Sequence, residues 1–278
     1  MKIHHLRNAT ALLSIGEHRL LLDPMLAEPG SMPGFKLFGG GRRPNPLVPL
    51  PPSGRAALDE ATAVLVTHEH PDHLDRAGTR WIAARGLPVW ASPMDARSLR
   101  KKGLDARELV DGALGMTVEI VPARHGRGLL GWLLGPVSGC FLAHPGEPSL
   151  LVTSDAVLTD ALLDAVDRLR PDVILAPAGS ANMGRGGDIL FSVDELVTLV
   201  RRAPGRVVLN HLEALDHCPT TRSGLRARME AEGLLDKVAI PADGEEVVFQ
   251  TTATREPPVV DRTRREPGFQ KWVTAHLA

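Results

Sequence analysis

The chain is poor in cysteine: Cys140 and Cys218 are the only two among 278 residues. They form no C-x-x-C pair and cannot build a disulfide framework, so both read as small buried hydrophobes. A charge imbalance is missing too. Lys and Arg number 32 against 33 for Asp and Glu, which removes any overall electrostatic pull toward nucleic acid or an anionic membrane. Met1–Leu13 has no apolar core followed by a small-residue cleavage site, and it reads as a strand, not a signal peptide. The longest uncharged run, Gly128–Ala143, has 16 residues broken by four glycines and a proline, short of the roughly 20 apolar residues a membrane helix needs. There is no internal repeat and no low-complexity tract. What these absences leave is a cytoplasmic globular enzyme with a small-molecule substrate. No nucleic-acid or membrane partner is expected, and self-association into a homo-oligomer is left open.

What is present is ordinary globular composition, 43% hydrophobic and 23% charged, on a chain long enough to bury a sizeable core. Short branched or apolar runs predict strands at Ala11–Ile15, His18–Leu22, Ala63–Thr67, Val89–Ala91, Thr117–Val121, Ser149–Thr153, Val173–Ala176 and Val207–Leu209. Between them, helical periodicity predicts helices at Asp75–Arg85, Met94–Lys101, Asp160–Arg170, Val193–Arg202 and Thr221–Glu232. Gly16-Glu17 reads as a two-residue hairpin turn. Residues 29–54 are rich in Pro and Gly without any period, the character of a lid or binding loop. Thr251–Gly268 is charged and reads as a surface strap or mobile tail. An early hairpin followed by alternating strands and helices suits a layered α/β fold.

The most informative segment is Thr67-His68-Glu69-His70-Pro71-Asp72-His73-Leu74-Asp75, directly after an apolar strand. Three histidines and several carboxylates in such a short span have few structural reasons to exist, whereas imidazole and carboxylate are the donors that borderline metals such as zinc take. One turn rarely completes a metal site, so other strand ends should supply ligands. Four offer them: His18–Leu22 runs into Asp23, Thr117–Val121 toward His125, Ser149–Thr153 into Asp155, and Val207–Leu209 into His211. Each alone is weak, since Asp155 reads equally as a helix cap and Asp23 before Pro24 as a turn residue. Their shared place at the carboxyl edge of a sheet is the argument. His4, His5, His18 and His144 have no partner motif and read as ordinary surface or core residues.

H-x-H-x-D-H, followed by a strand-end His, Asp and His in that order, resembles the metallo-β-lactamase superfamily. Arg7-Asn8-Ala9-Thr10, Leu22-Asp23-Pro24-Met25-Leu26, His125-Gly126, Gly135-Pro136-Val137-Ser138-Gly139, His211 through Cys218 and Pro241-Ala242-Asp243-Gly244-Glu245 resemble its branch of L-ascorbate-6-phosphate lactonase-like hydrolases. The likeness implies a single-domain, four-layer αββα sandwich over residues 1–250, with 251–278 as a C-terminal extension. It also implies two divalent metal ions, zinc first, with manganese or iron as alternatives. His68, His70 and His125 would hold one ion, Asp72, His73 and His211 the other, with Asp155 bridging. Asp23 would buttress the His68–His73 loop. Glu213 and His217 are additional to the family pattern and read as standing behind the ligands, with a direct-ligand or a structural role for His217 left open. Asn8 departs from the family pattern, in which many relatives carry a histidine there.

Such a pair would present a metal-bound hydroxide to an ester, lactone or phosphodiester, with Asp72 also serving as a catalytic proton acceptor. Phe35 and Phe38, on the 29–54 loop, would give an apolar wall to the substrate. No G-x-S-x-G elbow surrounds Ser180 to suggest a serine hydrolase. The same ligand set could instead hold iron for an oxidoreductase, or persist in a non-catalytic metal-binding protein.

Overall fold

The computed structural model describes residues 1–135, 137–184, 187–251 and 258–262. Thirteen strands are described: β1 Lys2–Arg7, β2 Thr10–Ile15, β3 His18–Leu22, β4 Ala63–Val66, β5 Val89–Ala91, β6 Ala106–Glu108, β7 Thr117–Ala123, β8 Val137–Ala143, β9 Leu150–Val152, β10 Val173–Pro177, β11 Arg206–Asn210, β12 Val238–Ala239 and β13 Glu246–Val248. They form two sheets, one ordered β13-β1-β2-β3-β4-β5-β6 and the other β12-β11-β10-β9-β8-β7. Seven helices accompany them: α1 Gly54–Glu60, α2 Arg76–Arg85, α3 Pro93–Lys101, α4 Gly128–Leu134, α5 Asp160–Leu169, α6 Val193–Arg202 and α7 Arg222–Ala231.

Side-chain alternation along the strands decides the layers. Ile3, Leu13, Leu20 and Leu65 of the first sheet bury against Val118, Cys140, Val152, Leu175 and Val208 of the second. The opposite faces are covered by helices. Leu21, Val64 and Val66 pack with Ala57 of α1, Ile82 of α2 and Leu99 of α3, while Phe141, Leu151, Ile174 and Val207 pack with Leu162, Leu199 and Leu225 of α5, α6 and α7. The result is the four-layer αββα sandwich. Helix starts are set by side-chain caps. Ser192 and Glu195 form a reciprocal capping box on α6, and Thr159, Thr221 and Asp75 cap α5, α7 and α2.

The eight strands and five helices predicted from local patterns appear within one or two residues at their ends, but Met1–Leu13, read as a strand, is two, β1 and β2, and the short helix α1, which has no capping side chain, goes unpredicted. Those left unpredicted have physical reasons. Strand β8 is buried along nearly its whole length, so it shows no alternation, and it shares the glycine-rich uncharged run with α4. Strands β6, β12 and β13 are two or three residues long, too short for any period. Of the expected C-terminal extension, only Thr251 and residues 258–262 are among the described residues. There Val259 N donates to Arg168 O, and Asp261 N donates to the Glu119 carboxylate.

Leu175 sits between the sheets at 2% exposure. Leu175→Ala should therefore remove about 2–5 kcal/mol of stability, the usual range for a buried Leu truncation. Urea unfolding of the variant against the parent chain measures it. A loss well under about 1 kcal/mol would mean that the sheets do not pack tightly at this point.

Candidate metal centre

Each metal-binding candidate stands just beyond the carboxyl end of a strand. His68, His70, Asp72 and His73 follow β4, His125 follows β7, Asp155 follows β9, and His211 follows β11, while Asp23 follows β3. Strands β3 and β4 are parallel neighbours, as are β9, β10 and β11, so one edge of the sandwich collects all of these ends. The β4–α2 connection makes a single turn in which the His73 and Leu74 amides both donate to His70 O at 2.9 Å. Asp75 then caps α2 through Gly78 N and also accepts from Ala27 N, both at 2.6 Å. Gly78 allows close contact here: a Cβ would lie 2.0 Å from the Pro24 carbonyl oxygen. The helix therefore packs directly on the Asp23-Pro24 corner.

The donor atoms fall into two groups, His68 with His70 and His125, and Asp72 with His73, Asp155 and His211, each drawn together within 4.8 Å. His68 Nε2 and His70 Nδ1 are 3.1 Å apart. Asp155 reaches both groups: Oδ1 is 3.1 Å from His73 Nε2, and Oδ2 is 3.6 Å from His125 Nε2 and 3.7 Å from His211 Nε2. The rings are oriented from behind. His73 Nδ1 donates to Asp23 Oδ2 at 2.8 Å, and His125 Nδ1 donates to Ile189 O at 2.9 Å. His70 uses Nε2 for Leu134 O at 2.9 Å, leaving Nδ1 toward the cluster. His73 Nε2, His211 Nε2 and Asp155 Oδ1 are buried without a hydrogen bond. Orphaned nitrogens and a carboxylate oxygen converging in a dry space fit a borderline divalent metal and suit little else.

Electrostatics inside the cluster are strongly coupled. Burial lowers His68, with the neighbouring His73 and His70 adding to it, and burial takes His125 down to about 4 despite Asp155. Burial also works against the charged form of His73, but Asp155 and Asp23 on either side override it and raise the ring to about 10. His211 is raised for the same reason, Asp155 outweighing burial. Asp72 and Asp155 stay ionised although burial opposes it. The His211 ring, with Nε2 3.5 Å from Asp72 Oδ2, holds Asp72 low, and the His73 charge does so for Asp155.

Asp23 accepts from Thr67 N at 2.7 Å and Thr67 Oγ1 at 2.8 Å as well as from His73. Three expectations need correction. Glu213 is not behind the ligands: its carboxylate binds Arg222 NH1 at 2.6 Å and Arg222 N at 2.9 Å. His217 makes no hydrogen bond to a ligand among the described residues. It lines the adjoining cavity edge-on to Phe35, with ring centroids 5.4 Å apart. Behind His211 stands Cys218, whose Sγ lies 3.5 Å from Nδ1; burial pushes this thiol up, so it remains an S–H. Phe38 is 53% exposed and does not line the cavity, because its backbone and that of Leu37 dock on Met183 O and put the Leu37 side chain there instead.

Sequence reasoning also missed residues that hold the surroundings. Asn8 donates from Nδ2 to Asp72 O at 3.0 Å and accepts from His211 N at 2.9 Å, joining two ligand-bearing segments. The buried Arg7 guanidinium donates to Met25 O, Ala27 O and Val48 O at 2.6–3.0 Å. Asp216 accepts from Phe35 N at 2.8 Å, Arg43 N at 3.1 Å and Asn45 Nδ2 at 3.0 Å. Arg7 and Asn8 stand at the carboxyl end of β1, a position that could have flagged them, whereas Asp216 lies in the loop between β11 and α7 and carries no such signal.

Comparison with known proteins gives one consistent picture. A family model described as a beta-lactamase superfamily domain matches residues 18–212. The UPF0173 protein YddR of Bacillus subtilis (strain 168) is 30% identical over 255 residues, covering 90% of this chain and 100% of that protein. Among solved structures, the isothiocyanate hydrolase from Delia radicum gut bacteria superposes with a TM-score of 0.81 at 30% identity, covering 90% of this chain and 100% of that one. A possible metal-dependent hydrolase from Veillonella parvula DSM 2008 reaches a TM-score of 0.83 at 28% identity, with coverage of 90% and 99%.

Two outcomes follow from the geometry. Asp23→Ala should weaken zinc binding by about 10–100-fold, the usual effect of removing the group that orients a ligand, and competition with a chromophoric chelator would measure it. Unchanged affinity would reduce Asp23 to a corner residue. Zinc loading at pH 7.5 should also release protons. His73, at about 10, must lose its proton to offer Nε2, whereas His125, at about 4, has none to lose. Apparent affinity should therefore rise with pH up to about 10. Calorimetry in buffers of different ionisation enthalpy counts the protons, and zero release would contradict the assignment of His73 as a ligand.

Proposed function

This chain belongs to the beta-lactamase superfamily and to the UPF0173 proteins, and is a metal-dependent hydrolase of that kind; from that premise we propose that it hydrolyses a small, uncharged electrophile such as a neutral ester, a lactone or an isothiocyanate. The observation that carries this reading is the cavity above the ligand cluster. It has a volume of about 190 Å³ and is walled by Phe35, Leu37, Leu134, Met183 and Ile189, with His70, Asp72, His125, Asp155 and His217 at its floor and side. No Lys or Arg among the described residues lines it. Away from the ligand cluster, an anionic phosphodiester would find no side-chain cation on this wall to hold its charge and substituents. A neutral molecule needs only apolar area, and the volume falls below the about 300–1,000 Å³ usual for drug-sized ligands. The solved isothiocyanate hydrolase, similar to this chain along nearly its full length, supports the inclusion of a neutral heterocumulene.

His68, His70 and His125 would hold one divalent ion and Asp72, His73 and His211 a second, with Asp155 reaching both. Zinc suits this mix of imidazole and carboxylate, with manganese or iron as alternatives. When bound, such a pair supplies a water-derived nucleophile at neutral pH and polarises the scissile bond. The protein's own groups do the rest. Asp72, kept ionised by His211, can take a proton on its carboxylate at the cavity floor. The Phe35 ring, packed edge-on against His217, holds the apolar part of the substrate and excludes water from the reacting end. Buried, unpaired Cys140 and Cys218 support a reducing, cytoplasmic setting.

A screen of the zinc-reconstituted protein tests this, using short aryl esters, lactones and alkyl isothiocyanates beside bis(p-nitrophenyl) phosphate, with chelator controls. The neutral substrates should be preferred in kcat/KM. Phe35→Ala should raise KM for the apolar ones by about 10-fold, as expected for lost apolar burial, while kcat stays near the parent value. Preference for the phosphodiester would sink the proposal.

A further inference from the structure

The sandwich has a second histidine cluster at its other end. The Gly16-Glu17 turn joins β2 to β3 in the first sheet, and His144 follows β8 in the second. Strand β3 leads away from this turn toward Asp23, and β8 runs antiparallel to β7 and β9, whose far ends lead to His125 and Asp155. Glu17, His18 and His144 therefore meet on the edge opposite the ligand cluster, one face of each sheet contributing.

Three features of this meeting point to a cation. First, His144 Nε2 lies 3.3 Å from Glu17 Oε2, His18 Nε2 lies 3.6 Å from Glu17 Oε1, and the three donor atoms gather within 4.8 Å. Around a tetrahedral ion with bonds of about 2.0–2.2 Å, neighbouring donors are spaced about 3.3–3.6 Å apart. Second, His144 Nδ1 is 3.0 Å from Pro145 O. A carbonyl can only accept, so Nδ1 carries the proton and Nε2 turns its lone pair toward the carboxylate, the tautomer that metal-binding imidazoles adopt. Third, His18 Nε2 is a buried atom without a hydrogen bond, the same mark that the catalytic-side nitrogens bear. The ring of His144 is also held in place: a Cβ on Gly16 would lie 2.6 Å from His144 Cε1, so the imidazole rests against the turn.

We propose that Glu17, His18 and His144 form a separate divalent-metal site of the zinc class, with an open coordination position to solvent, which clasps the β2–β3 turn to the end of β8. None of its residues takes part in the hydrolytic site, and the site stands whether or not the substrate reading is right. Its function is structural: it ties the two sheets at the edge where no catalytic ligand does.

The test counts zinc. The full chain, its glutamine variant at the exposed turn (Glu17→Gln) and His144→Asn are each equilibrated with excess zinc, desalted and assayed for bound metal. In parallel, two-dimensional ¹H–¹⁵N spectra follow the histidine ring nitrogens as zinc is added. The parent chain should hold one zinc more than either variant, hydrolytic activity should be equal in all three, and the Nε2 resonances of His18 and His144 should shift on zinc addition. Thermal unfolding should show a larger zinc-induced rise in Tm for the parent than for Glu17→Gln, which leaves the shape of the turn intact. Equal zinc content in the three proteins, with unmoved His18 and His144 resonances, would overturn the proposal and leave an imidazole–carboxylate contact.

Discussion

The carboxylate of Asp23 is the point on which the geometry of the ligand-cluster edge depends. It is buried at the end of β3 and accepts from the backbone and hydroxyl of Thr67 at the end of β4 and from the ring of His73 six residues later. One acid thereby fixes the exit of a neighbouring strand and the rotation of a ligand on the loop that follows. Without it, the His68–His73 turn would still be connected to the sheet, but nothing among these contacts would determine which nitrogen of His73 faces the cluster. A buried carboxylate with three satisfied hydrogen bonds is costly to assemble and correspondingly hard to displace.

The same edge concentrates unusual backbone. Asn8, Asp23, Ser154 and His211 all have positive φ, between 44° and 60°, a region that non-glycine residues visit rarely and at some cost. Each lies at a strand end that faces the ligands. Regular strand geometry would carry the chain straight past the edge, whereas a left-handed residue turns it sharply, at Ser154 directly before Asp155 and at His211 on the ligand candidate itself. The favourable contacts that offset this are local: Asn8 bonds Asp72 and His211 backbone atoms, and Thr10 and Thr67 hydroxyls bond Asp23.

How legible this was in the sequence depended on the kind of signal. His68, His70, Asp72 and His73 announce themselves because four donors crowd into one turn after an apolar strand. His125, Asp155 and His211 could be picked out because each follows a clear strand, so topology alone assembles them. A layered α/β fold followed from alternating segments whose apolar faces demand partners, whereas the number and order of the layers came from the family resemblance. What escaped had no periodic or compositional trace. Strand β8 is buried on both faces and looks like any glycine-rich apolar run. Leu37, not Phe38, enters the cavity because of two backbone bonds to Met183, which no side-chain pattern encodes. Glu213 went to Arg222 because a half-buried guanidinium nine residues on offers both a charge and two donors, NH1 and the backbone N, to its carboxylate. His18 and His144 have no neighbouring motif, since their proximity arises only when the two sheets stack.

The Asp216 carboxylate binds the 29–54 loop mostly through main-chain N–H groups, those of Phe35, Lys36 and Arg43. Main-chain donors are the same whatever side chain they carry. The fastening of the loop is thus indifferent to most substitutions within it, while its side chains form part of the cavity wall. Residues 35 and 37 can drift in size and polarity with the loop still seated beside the histidine and aspartate cluster. A lineage can accordingly acquire a new range of substrates by point substitutions there, without passing through forms in which the catalytic edge comes apart. The attachment makes the loop an interchangeable cassette, and the chemistry beneath it a fixed platform.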